Sequence, residues 1–132
     1  MKYIVLIARV LFGLCSIALL VLGGLFWSGH ALSLLPLHAM VLGPLFVICM
    51  WILAVIGLLA PGTRSLAIFV LVWSFVVPAI GVTQLQLLPG ADHWVIQAVH
   101  LLVGLIAMGL TASLARRIGR GSAETAAVPE SV

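Results

Sequence analysis

Hydrophobic and polar positions fall into four long apolar blocks with short polar punctuation between them. The blocks cover about residues 3–28, 35–60, 65–88 and 93–118. Each is near the ~20 residues needed to cross ~30 Å of hydrocarbon. Backbone in lipid must satisfy its own hydrogen bonds, so each block predicts a helix. The links "SGHALSLLP", "APGTRS" and "LLPGAD" hold turn residues. Links this short make successive spans antiparallel. The prediction is therefore an all-α fold, an up-down-up-down bundle of four transmembrane helices over residues 1–119. Ser33 is the expected N-cap of the second helix, with Pro36 in its first turn, and Asp92 that of the fourth. Pro44 and Pro78 fall inside the second and third blocks and predict bends. The end of the chain, "GSAETAAVPESV", is small and polar, so residues 120–132 are expected to form a disordered tail.

Composition agrees with the pattern. Of the 132 residues, 64% are hydrophobic and 7% charged, so the chain is expected to be a multi-pass protein whose main partner is the lipid bilayer. The first thirty residues have the outline of a signal peptide. Their apolar run is too long for one, and Leu14 stands where a lipobox before Cys15 needs a small residue. The segment is read as the first span. Cys15 and Cys49 each sit within an apolar run, where cysteine acts as a small hydrophobe.

Charge sets the orientation. Lys2 and Arg9 lie near the N-terminus, Arg64 in the middle link, and Arg116, Arg117 and Arg120 after the fourth block. In an antiparallel bundle all six lie on one side or lean toward it. The positive-inside rule then puts both termini in the cytoplasm and residues 29–36 and 87–92 outside. Arg9 is the one charge inside a span and is expected to snorkel. A net charge of +3 without aromatic interleaving does not point to nucleic acid.

Four histidines remain to be explained, and all four fall in the outer half. His30 follows Trp27 and His93 precedes Trp94, so this pair is shallow, at the depth where tryptophan collects. His38 and His100 lie deeper, His100 about 10 Å along its helix from His93 at ~1.5 Å per residue. Residues 93, 97, 100 and 104 share one helical stripe: His93, Gln97, His100, Gly104. Ser16, Gly23, Trp27 and His30 share another. Polar groups in a span are costly unless they face the interior, so both stripes are expected to be inner faces. Gly104 would leave room for a flat group beside His100. Two neutral imidazoles from facing helices are the axial set of haem b, which leaves His30, His93, Gln97, Trp27 and Trp94 to meet the propionates.

On His38, His100 and the four-span architecture, the chain resembles the small four-helix b-type cytochromes of bacterial inner membranes. The resemblance implies electron transfer near the outer face of that membrane, with a quinone or a redox protein as partner. Such cytochromes often hold two haems, one toward each side. The cytoplasmic half here has no histidine, so one haem is expected.

Other readings stand beside this one. Interfacial histidines can be plain amphipathic anchors. Four imidazoles could surround one transition-metal ion, or line a quinone pocket. A chain this small could also be an accessory or structural subunit of a larger membrane complex or a homo-oligomer. No Asp or Glu lies within a block, which argues against a carboxylate proton relay. No phosphate loop, nucleophile elbow or HExxH motif is present, so a hydrolase is not indicated.

Overall fold

The computed structural model describes residues 2–127, with side chains over 3–120. Four helices are long and apolar enough to cross a membrane. We label them α1 (Lys2–Trp27), α2 (Leu32–Leu59), α3 (Arg64–Thr83) and α4 (His93–Ala127). The described residues form no strand. Their order follows from the blocks: unbroken Leu, Ile, Val and Ala between turn residues, with Gly29, Gly62 and Gly90 taking positive φ in the links.

Packing is centred on α2, which contacts α1, α3 and α4, whereas α1 and α3 hardly meet. The contacts pair residues at similar distances along the chain from the link that joins their two helices. Phe12 stacks on Phe46 with ring centroids 4.9 Å apart. The Trp51 indole N–H donates to Ser74 Oγ at 2.7 Å, and the Trp73 indole N–H donates to the Val103 carbonyl at 2.9 Å. The fully buried core gathers Phe46, Met50, Leu53, Val70 and Leu114 at the middle of α2, α3 and α4. Gly57 lets these helices close up: a Cβ there would lie 2.8 Å from Leu114 Cδ1 and 3.0 Å from Ala67 Cβ.

Helix ends depart from the sequence reading in particular ways. Ser33 does not cap α2. It lies within a 3₁₀ turn, Leu32–Leu34, entered through Ala31 in the left-handed region at φ 55°. Pro36 does sit in the first α turn, Leu35–Leu37. Asp92 gives its carbonyl to the Val95 N–H, and its side chain makes no cap. The α3 helix stops at Thr83 rather than near 88; Thr83 Oγ1 bonds back to the Ala79 carbonyl at 2.7 Å and "QLQLL" turns away. At the other end of that link, buried Thr63 closes α2 by donating to the Gly57 carbonyl at 2.6 Å. Residues 120–127, expected in the tail, continue α4, and 128–132 lie outside the described residues.

The inner faces also need correction. On α1 the buried positions are Val5, Ala8, Phe12, Cys15, Ser16 and Leu22. Of the polar stripe only Ser16 is among them, while Trp27 and His30 are exposed. On α4 the buried line runs Ile96, Val103, Ala107, Thr111, Leu114, Ile118, so Val103 rather than Gly104 follows His100 inward. The physical reason is position. Near a span's end a polar side chain can reach headgroups, so polarity there does not report the interior face.

Candidate functional site

Pro44 has no N–H to give to the Met40 carbonyl, and the helical ladder slips by one residue just before it. The result is a π turn, His38–Leu42, closed by the Gly43 N–H on the His38 carbonyl. His38 therefore opens a stretch of widened helix, a feature often found where a helix serves a function. Gly43 suits the tight ladder, since a Cβ there would come 3.2 Å from the His38 carbonyl oxygen.

His38 and His100 lie near the starts of α2 and α4. Both are half-buried, and Nδ1 of each is sealed from solvent with no hydrogen-bond partner. A neutral imidazole has one donor and one acceptor nitrogen. A buried orphan of this kind costs ~1–3 kcal/mol, so each of these rings is a candidate ligand.

Each ring is held from outside the pair. Phe26 of α1 meets the His38 ring edge-on, with centroids 5.4 Å apart and planes at 70°. Gly81 of α3 receives the His100 ring: a Cβ at that position would stand 3.1 Å from Cε1 and 3.7 Å from Nδ1. Thus α1 and α3 buttress two imidazoles carried by α2 and α4. Sequence reasoning missed both supports. Phe26 is one of five phenylalanines, and Gly81 one of 13 glycines with no motif around it. Its only signal was its place on α3, beside Pro78, near the level of the histidines.

The other expected site residues are not drawn into the pair. His30 lies beyond the end of α1, exposed, with Nδ1 3.1 Å from Ser28 Oγ. His93 and Gln97 are half-buried on the first turns of α4. Trp27 and Trp94 are 51% and 57% exposed, as belongs to side chains at the edge of a bilayer. Gly104 has nothing within 4 Å of a Cβ position, so space is open beside it, one turn from His100. Among the described residues no group of three or more His, Cys, Asp or Glu could hold a metal ion. Four imidazoles around one ion is therefore not the arrangement here.

No family model matches the chain, and no curated protein or solved structure is significantly similar to it.

Proposed function

We propose that this chain is an up-down-up-down bundle in a bacterial inner membrane, both termini cytoplasmic, that binds one haem b between His38 and His100 and carries electrons near the outer face. The observation that carries this reading is that each of the two deep histidines has a buried unpaired Nδ1. The donor set fits. A porphyrin brings four equatorial nitrogens of its own and needs two axial ligands from the protein. A bare zinc or copper ion needs three or four protein donors, and no such group is found among the described residues. When bound, the haem supplies one-electron redox chemistry.

The chain's residues do the rest. His38 on α2 and His100 on α4 would present their lone pairs to the haem iron. Phe26 and Gly81 fix the two ring planes. Open space beside Gly104 supports a flat group on that side. His93, Gln97 and His30, nearer the span ends, would be the donors available to a bound haem's propionates, with Trp27 and Trp94 at the rim. Two clefts are open at the molecule's surface, one lined by Arg9 and Arg116 and the other by Pro61 and Arg64. Both lie away from the histidines. Orientation rests on the six basic residues, and the alternation of direction on the paired contacts described above.

Haem content after purification tests the reading. His38→Ala and His100→Ala should each lose stable haem, and His30→Ala should keep it. Haem retained in either of the first two variants, or a wild-type protein without haem, would overturn it and favour the accessory-subunit reading.

A further inference from the structure

A cleft runs between α1 and α4 at the end of the bundle opposite the histidines. Arg9 of α1 and Arg116 of α4 stand on it. Arg9 reaches across to α4, where its Nη1 is 3.4 Å from the Cβ position of Gly119. Arg116 uses one N–H to donate to Ser113 Oγ at 3.0 Å, which steadies the guanidinium and leaves its other donors free. Below them the floor is made of small residues, Gly13, Ala112 and Ala115, with Phe12 and Met108 as walls. Gly13 has nothing within 4 Å of a Cβ position. Ser16 lines the cleft at depth, but its hydroxyl is already used on the Phe12 carbonyl at 2.7 Å. The cleft is thus cationic at its mouth and apolar below. From Arg116 to Met108 it spans roughly 12 Å along α4 at ~1.5 Å per residue.

Among residues 3–120 no carboxylate meets the charge at the mouth. The one carboxylate among residues 3–120 is Asp92, at the far end of α4, roughly 36 Å from Arg116 along the helix axis at ~1.5 Å per residue. A guanidinium held within a span is costly unless an anion meets it. Phosphate suits the planar fork of arginine through paired hydrogen bonds.

We propose that this cleft binds an anionic phospholipid of the surrounding bilayer: Arg9 and Arg116 hold the phosphate, and the small-residue floor takes one acyl chain. A zwitterionic lipid presents a cation beside its phosphate and is disfavoured at a doubly basic mouth. Anionic lipid seats there because basic clefts between spans join charge attraction to a groove for the chain.

Native mass spectrometry of the delipidated full chain, with added phosphatidylglycerol or phosphatidylcholine of the same acyl length, tests this. Wild type should retain the anionic lipid at least about tenfold over the zwitterionic one, a ratio equivalent to about 1.4 kcal/mol. R9Q/R116Q should lose that preference. R117Q/R120Q, an equal charge change off the cleft, should keep it. Gly13→Leu, which fills the floor without touching charge, should weaken retention of the anionic lipid. Equal retention of the two lipids by wild type would overturn the proposal, as would equal losses in the two double variants, which would mean diffuse surface charge. Displacement of the lipid by inorganic phosphate would reduce the cleft to a free-anion site. Loss of a dimer on Gly13→Leu would make the occupant a second copy of the chain.

Discussion

Replacing Gly81 by alanine tests whether α3 holds the His100 ring. The added Cβ would stand 3.1 Å from His100 Cε1, where an ordinary carbon contact is ~3.5–4.0 Å. The ring must retreat by several tenths of an ångström in a half-buried place. Overpacking of this kind costs ~1–3 kcal/mol, and alanine in place of a helical glycine returns up to ~1 kcal/mol. Gly104→Ala is the matched control, because nothing lies within 4 Å of its Cβ position and only the gain applies. The two single-methyl variants should then differ by ~1–3 kcal/mol, and Gly81→Ala should melt several degrees lower. It should also retain less haem, since the displaced ring carries a proposed ligand. The assay is a thermal melt in detergent alongside haem content on the same preparations. Identical melts for the two variants would refute the buttress, and normal haem loading in Gly81→Ala would show that the ring's position there is immaterial to binding.

Three further outcomes are expected. Gly57→Ala should destabilise the bundle by ~1–3 kcal/mol, because its Cβ would meet Leu114 and Ala67 at 2.8 and 3.0 Å; a melt unchanged beside Gly13→Ala would contradict that packing. Thr111→Val should leave the melt equal or higher, because Thr111 Oγ1 is buried without a partner and loses nothing on removal; a marked drop would mean the hydroxyl is bonded. Cysteines placed at Ser33 and Gly90 should react with an impermeant thiol reagent from outside the cell and one at Gly121 should not, with the opposite labelling reversing the orientation.

The spans were legible in the sequence because lipid leaves the backbone one economical solution, and unbroken apolar runs announce it. Their ends were less so. Leu85, Leu87 and Leu88 are as apolar as the helix before them, and hydropathy does not distinguish an apolar turn from a further turn of helix. The rotation of α1 and α4 was misread for a related reason. In a soluble helix the polar face looks outward, but here Leu and Val face lipid and core alike, and the few polar residues near span ends can answer to headgroups. So His93, Gln97 and Gly104 marked a face about one residue away from the buried line through Ile96, Val103 and Ala107. The deep histidines stood out in the sequence because an imidazole far from the interface has no such outlet. What held them was not readable: Gly81 matters through a contact with a helix distant in sequence, and the π turn at His38 showed beforehand only as the irregularity expected from Pro44.

The central claim is that His38 and His100 together hold one haem, and the visible spectrum of the purified wild-type chain before and after dithionite tests it most directly. Reduction should bring up the sharp α-band of a low-spin, two-histidine haem b, and pyridine haemochrome quantitation should give about one haem per chain. A colourless protein, properly folded by its melt, would contradict the account.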